Sequence, residues 1–391
     1  MSQLPWHEQL NAALAERKAA GLYRQSRLRT GEQGVNVVVD GKPMLSFCSN
    51  DYLGLAAHPD IKQAFKQAID KEGVGSGAAH LLTGHSQYHQ QLEETLAEFT
   101  GQQRVLLFST GYMANLGVID GLMSRGDAVI QDKLNHASLL DGGRLTEAEQ
   151  LRFPHADMGR LHKRLHSSAT AKHRLIVSDG VFSMDGDIAP LPEMMALADQ
   201  HRAAVLIDDA HGFGVIGENG RGTVSHFNIP ADKAPIVVGT LGKAIGTGGA
   251  FVAADELVIE TLIQQARSYV YTTAQPPAVA AATLASLKLV EQENWRREHL
   301  QHLIQQFRQG AEQLGLDLMP SITPIQPVVI GDDKKALAIG KKLEQKGILV
   351  GVIRPPTVAK NTARLRVTLS AAHSTEDVDK LLAALEQASA H

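Results

Sequence analysis

Residues 204–212 read Ala-Val-Leu-Ile-Asp-Asp-Ala-His-Gly, an apolar run that stops at two carboxylates and a histidine. A short apolar segment without polar alternation suits a strand covered on both faces, where neither face can carry charge into the core. Runs of the same texture stand at 105–108, 128–130, 175–177, 236–238 and 251–253, with helical stretches between several of them. Their order predicts an α/β domain on a mainly parallel sheet over residues 46–285. Ligands in such folds bind beyond the C-terminal strand ends. Polar or Gly-rich clusters follow several of the runs, at 109–111 (Ser-Thr-Gly), 178–180 (Ser-Asp-Gly), 208–209 (Asp-Asp) and 239–240 (Gly-Thr). The site is expected there.

The flanks differ in texture. Residues 1–45 read as a helical and extended segment, amphipathic over 1–23 and without the basic start and apolar stretch of a signal peptide. Beyond residue 285, a charged helix over 291–314, a strand at 325–330, a helix at 334–346, a strand at 348–353 and an alternating strand at 363–369 predict a smaller α+β domain over 286–391. Its last helix starts at Ser374, with Asp377 as capping partner.

Of the 391 residues, 43% are apolar and 20% charged, enough for a large core. Net charge is −4, and Lys and Arg are scattered, so the basic face that nucleic-acid binding requires is missing. Cys48 is the only cysteine, which excludes an intrachain disulfide and fits a reducing compartment. No apolar run approaches the ~20 residues needed to span a bilayer. A cytoplasmic location is the expectation.

Residues 238–250 (Val-Gly-Thr-Leu-Gly-Lys-Ala-Ile-Gly-Thr-Gly-Gly-Ala) place Lys243 just past a buried strand. Lysine forms Schiff bases when its setting lowers its pKa, and the flanking glycines let a flat cofactor approach the backbone. A carboxylate at the end of the 204–208 run could keep a pyridine nitrogen protonated and so make the ring an electron sink. Neighbouring strand residues point to opposite faces, so only one of Asp208 and Asp209 can do this. Residues 109–115 (Ser-Thr-Gly-Tyr-Met-Ala-Asn) join a strand to a helix start, whose free N–H groups suit a phosphate. His136, in Asn-His-Ala-Ser at 135–138, offers a ring that could stack on an aromatic cofactor.

Together with 49–54 (Ser-Asn-Asp-Tyr-Leu-Gly) and 179–186 (Asp-Gly-Val-Phe-Ser-Met-Asp-Gly), these motifs make the chain resemble the α-oxoamine synthases from residue 11 to residue 373. The resemblance implies pyridoxal-phosphate fold type I, aspartate-aminotransferase-like, with a mainly parallel seven-stranded sheet and a smaller C-terminal α+β domain. It makes Lys243 the Schiff-base lysine, pairs Asp208 with the pyridine nitrogen, sets His211 and Ser183 near the ring oxygen, and stacks His136 on the ring. Gly111, Tyr112 and Thr240 would hold the phosphate, with Thr272 or Thr273 reaching it from a neighbouring subunit of a homodimer. Asn50 and Arg366 would bind the amino-acid carboxylate, and Arg24 and Thr357 the acyl substrate. Residues 353–358 (Ile-Arg-Pro-Pro-Thr-Val) and 363–366 (Ala-Arg-Leu-Arg) most resemble members that join L-alanine to a pimeloyl thioester carried by acyl carrier protein or CoA. Glycine-using relatives and an ordinary aminotransferase are the alternatives. One departure stands out: Ala78, Ala79 and His80 occupy a run where the family usually carries a serine or threonine.

Overall fold

A computed structural model describes residues 4–389. Its strands, in chain order, are β1 (Arg29–Thr30), β2 (Asn36–Val39), β3 (Lys42–Phe47), β4 (Arg104–Phe108), β5 (Ala128–Asp132), β6 (Glu149–Phe153) and β7 (Arg174–Asp179). They continue with β8 (Ala204–Asp208), β9 (Ile236–Thr240), β10 (Ala250–Ala254), β11 (Ile325–Gly331), β12 (Ile348–Ile353) and β13 (Ala363–Thr368). Seven form one sheet in the order β4-β10-β9-β8-β7-β5-β6, in which β10 alone runs antiparallel to its neighbours. β7, β8 and β9 are hydrogen-bonded in parallel, so Asp179 and Asp208 end their strands side by side.

The apolar runs work as two-sided strands. Val129, Val177, Leu206, Val238 and Val252 pack on one face with Ala114, Val118 and Leu262 of the covering helices. Their neighbours Ile130, Ile176, Val205 and Ile207 pack on the other, with Leu161, Leu165, Met194 and Ala198. This alternation is the strand period of two, with apolar residues on both faces. β6 lacks an apolar run because it is an edge strand, paired only with β5, and Glu149, Gln150 and Arg152 face solvent.

The second sheet has the order β1-β2-β3-β12-β13-β11. The N-terminal strands therefore extend the C-terminal sheet, through parallel pairing of β3 with β12. β13 alternates in sequence yet every residue is buried, because its arginines face the other sheet rather than water. A single apolar cluster runs from Leu107, Phe251 and Ala253 of the large sheet to Ile325, Leu365 and Val367 of the small one.

Two helices differ from expectation. The segment read as one helix over 291–314 belongs to two, Pro277–Gln292 and Trp295–Gln313, since Glu293 leaves the helical backbone region and Arg296 turns back to bond its carboxylate at 2.6 Å. The second helix buries Leu300, Leu303, Ile304, Phe307 and Ala311 on one stripe. The N-terminal helix runs over His7–Ala19 but buries none of its residues. Its Leu10 and Leu14 stay about half exposed, so the expected apolar face is not buried among the described residues; Met1, Ser2 and Gln3 lie outside them. The cap at Ser374 forms as expected: Ser374 N–H donates to Asp377 Oδ2 at 3.1 Å, and Asp377 N–H to Ser374 Oγ at 3.2 Å. Among the described residues, no helix is long and apolar enough to cross a membrane.

The turn at 50–56 positions the site. Tyr52, Leu53 and Leu55 are fully buried, Asp51 accepts the N–H groups of Leu55 and Ala56, and Ser370 Oγ donates to the Asp51 carbonyl. The Lys243 loop packs directly on this turn. Gly246 has φ +72°, and a Cβ there would lie 2.6 Å from Ala56 N and 2.7 Å from the Leu55 carbonyl carbon. Gly246→Ala should therefore cost about 2–4 kcal/mol from backbone strain and overpacking. Gly248→Ala, whose Cβ would meet nothing nearer than 3.8 Å, should stay within about 0.5 kcal/mol. Urea melts of the two variants check this, and equal stabilities would mean that the loop shifts freely off the turn.

Candidate active site

Strand ends supply the acids. Asp208, the last residue of β8, is buried; its Oδ2 accepts from Asn115 Nδ2 at 2.6 Å and its Oδ1 from Ala210 N–H at 3.0 Å. Asp209 points the opposite way and accepts both the N–H and the hydroxyl of Thr223, and burial pushes it up to about 7. Of the two carboxylates, Asp208 faces the lysine. Asp179, beside it on β7, accepts from His136 N–H at 2.8 Å, and burial and then the Asp208 charge push it well above the usual carboxylate range.

Lys243 follows β9 in a turn shaped by Thr240, whose hydroxyl donates to the Gly249 carbonyl at 3.2 Å. The lysine Nζ lies 2.9 Å from His211 Nε2. Burial lowers Lys243 to about 8; Asp208 and Asp179 oppose this, and Arg366 adds to it. His211 is held well below its ordinary value by burial and by Lys243, so it is a neutral ring. With Nε2 accepting from the lysine, Nδ1 carries the ring proton toward Tyr52 Oη at 2.5 Å, and Tyr52 donates on to Asn50 Oδ1 at 3.3 Å. Asn50 Oδ1 also accepts from Arg366 Nη2 at 3.3 Å. A continuous chain of hydrogen bonds, meeting at the Asn50 Oδ1 acceptor, thus joins the lysine to the arginine across the two sheets.

Arg366, on β13, is aimed by Ser183, whose carbonyl accepts Nε at 2.6 Å, and by Thr368, whose hydroxyl accepts Nη1 at 2.8 Å. Ser183 thus meets the network through its backbone. Opposite, His136 Nδ1 lies 2.6 Å from Ser138 Oγ, which in turn accepts from Asn115 Nδ2 at 2.8 Å. Burial lowers the His136 pKa. Thr110 caps the helix Gly111–Leu122, accepting from Met113 N–H at 3.2 Å, and Gly111 and Tyr112 present the first-turn N–H groups that no helical carbonyl can reach. The Tyr112 hydroxyl donates to Asp141, and its ring stands edge-on to His136 at 6.3 Å.

The structure thus gathers Lys243, His211, Asp208, His136, Asn50, Arg366, Ser183, Thr240, Gly111 and Tyr112 around the C-terminal strand ends. Four residues stand apart. Thr272 and Thr273 lie beside Ser109 and His80, and Thr273 bridges to Ala79 rather than to the lysine network. Arg24 and Thr357 are exposed, on segments tied together where Arg354 Nη2 donates to the Gly21 carbonyl at 3.0 Å. No hydrogen bond joins either residue to the lysine network. At the departure, His80 Nδ1 is 2.9 Å from His85 Nδ1 and its ring stacks on Tyr269, while the nearby Ser76 hydroxyl donates to the Gln275 carbonyl.

Sequence reasoning missed Tyr52, Asn115 and Asp179 as participants. Two left a signal: Asn115 is a polar residue in a mostly apolar helix, and Asp179 ends an apolar strand as Asp208 does.

This donor set fits pyridoxal phosphate. A primary amine of lowered pKa, a buried carboxylate, an imidazole wall and a helix start with free N–H groups meet the aldehyde, ring nitrogen, ring face and phosphate of that molecule. A lysine of pKa about 8 is half deprotonated near that pH, and only the free amine attacks an aldehyde. Capture of pyridoxal phosphate by cofactor-free protein, followed by absorbance, should quicken with rising pH and level off above about 8. A rate still climbing toward 10.5, the ordinary lysine value, would mean that the amine is solvated.

The comparisons agree with this geometry. The family described as aminotransferase class I and II matches residues 42–385. A protein of Saccharophagus degradans named 8-amino-7-oxononanoate synthase is 59% identical over 381 residues, covering 97% of this chain and 96% of the relative. A serine palmitoyltransferase from S. paucimobilis with bound PLP–myriocin superposes with a TM-score of 0.92 at 32% identity, covering 99% of this chain and 98% of the other. The 8-amino-7-oxononanoate synthase of Francisella tularensis superposes at 0.78 and 33% identity, covering 88% and 97%. This chain therefore belongs to the class I and II aminotransferase family, and within it to the α-oxoamine synthases.

Proposed function

We propose that the protein condenses L-alanine with a pimeloyl thioester, of acyl carrier protein or CoA, to give 8-amino-7-oxononanoate, carbon dioxide and free thiol in biotin synthesis. One observation carries this reading: the Lys243–His211–Asp208 constellation lies in a chain 59% identical, over nearly both full lengths, to a relative named for that product. Bound pyridoxal phosphate supplies an electron sink next to the alanine Cα.

The chain's own groups do the rest. Lys243, with its pKa near 8, takes the Cα proton and returns one after the new bond has formed, because far more of it is free base near neutral pH than of a lysine at the ordinary 10.5. Neutral His211 holds the amine without competing for its charge. Buried Asp208 would hold the ring nitrogen of the bound cofactor and help to keep it protonated. Arg366, aimed by Ser183 and Thr368, offers its remaining donors with Asn50 to the alanine carboxylate. The Cα then bonds to the acyl carbonyl carbon as the carbon–sulfur bond breaks and the thiol leaves, and C1 of alanine departs as carbon dioxide.

A homodimer is part of the proposal. Thr272 and Thr273 lie beside Ser109 and His80, Thr273 bridges to Ala79, and adjacent Tyr271 is exposed, which suits a segment that completes a partner's phosphate site. Arg24 and Thr357 are the proposed contacts for the acyl substrate. A cytoplasmic location completes the reading, supported by the single cysteine, which fits a reducing compartment.

Arg366→Lys replaces a planar fork with a point charge, so the alanine KM should rise about tenfold, some 1.4 kcal/mol of lost carboxylate binding. An unchanged KM would place the carboxylate elsewhere. The family's description raises aminotransfer as the second reading, and the carboxylate carbon separates the two. Alanine labelled at C1, incubated with pimeloyl-CoA or the pimeloyl carrier protein, should release labelled carbon dioxide in step with free thiol. Label retained in pyruvate without thiol release would establish aminotransfer instead.

A further inference from the structure

The 179–188 loop is fastened to both sheets at the site. On the small-sheet side, Arg364 Nη1 pairs with Asp185, Ser321 and Thr323 hydroxyls donate to the Gly186 carbonyl at 2.9 and 3.0 Å, and the Ser183 carbonyl holds Arg366. The loop closes on itself at its base: Phe182 N–H donates to the Asp187 carbonyl at 2.9 Å, and Gly186 N–H to the Phe182 carbonyl at 2.8 Å. Ser183 sits in this tight turn, so whatever holds Phe182 and Asp187 also holds the carbonyl that aims Arg366.

His155 holds both. Its Nε2 lies 2.9 Å from Asp187 Oδ2, and the Phe182 ring stands edge-on to the imidazole at 4.4 Å and 82°. On its other side, Nδ1 lies 3.3 Å from Asp132 Oδ2. Asp132 is a rigid base: it ends β5, is almost fully buried, and accepts from Leu134 N–H at 2.8 Å and Ala156 N–H at 2.9 Å. The remaining charged groups at this point are Asp185 and its partner Arg364. Burial alone would lower His155, but the two carboxylates outweigh it and raise the imidazole to about 10, so it bridges them as a cation at neutral pH.

We infer that His155 is a positioning residue for the amino-acid carboxylate site: pinned to β5 through Asp132, it fixes the Phe182–Asp187 turn on the large sheet and thereby sets where Arg366 stands relative to Lys243. The inference deepens the proposed reaction and rests on it. His155 touches no substrate; it acts through Asp187, Phe182 and the Ser183 carbonyl. Small displacements of a positioned group cost orders of magnitude in productive geometry.

The test uses the holoenzyme with two variants that break the same bridge from opposite ends, His155→Asn and Asp187→Asn. The affinity for alanine is read by spectral titration without thioester, and alanine KM, pimeloyl-CoA KM and kcat by thiol release. Each variant should weaken alanine, in titration and in KM, by about tenfold, leaving pimeloyl-CoA KM within about twofold and kcat at saturating alanine within about threefold. Asp187→Asn, a near-isosteric change at a partly exposed position, keeps the test open if His155→Asn misfolds. A wild type that responds to alanine while a folded variant matches its alanine affinity overturns the inference alone. So does an equal loss in every parameter, the mark of general unfolding. A wild type that ignores alanine overturns the reaction reading and this inference with it.

Discussion

A lysine amine buried beside two carboxylates is the constraint on which the site depends. Removed from water, the Lys243 ammonium is disfavoured, and its pKa falls to about 8. Asp208 does most to keep it from falling further, and because β7 and β8 end in register Asp179 stands at the same level beside it. The acids constrain one another in turn: two adjacent buried carboxylates resist a second charge, and Asp179 is the one driven toward its protonated form. Asn115 steadies the other by donating to Asp208 from within an apolar helix.

The same constraint reaches the second sheet. Neutral His211 receives the lysine on one side and passes its own proton toward Tyr52 on the other, and Tyr52 reaches Asn50, which Arg366 also bonds. Charge at the lysine and charge at Arg366 are therefore separated by a short neutral chain, and Arg366 adds to the lowering of the lysine. Holding two cations this close requires a stiff frame. The buried 50–56 turn, the apolar cluster continuous between the sheets and the doubly tethered 179–188 loop provide it.

Much of this was legible in the chain. The two-sided strands could be read because apolar residues occupy both pleat faces, and the site could be placed because polar clusters end those runs. Lys243, Asp208 and His211 announced themselves as chemically unusual residues among small or apolar neighbours. What escaped were elements whose signal is weak by nature. β6 is an edge strand with charged outward residues, and β1 to β3 are short and partly exposed. Tyr52 and Asp179 read as ordinary core and strand-end residues until their partners were known.

Local pattern thus determined the α/β class, the strand ends as the site and the lysine as its centre, since each depends on residues near one another in sequence. Tertiary structure alone decided the long-range choices. It supplied the reason that Asp208, which the family resemblance had already named, and not Asp209 serves the site: Thr223, fourteen residues on, satisfies the second carboxylate. It joined the N-terminal strands to the C-terminal sheet through β3 and β12, about three hundred residues apart. It also buried both arginines of an alternating strand, whose pattern reads as half-exposed, because Asp185 and the Ser183 carbonyl wait for them on the other sheet. Alternation records which residues share a face; what lies opposite that face is written elsewhere in the chain, and only packing brings the two together.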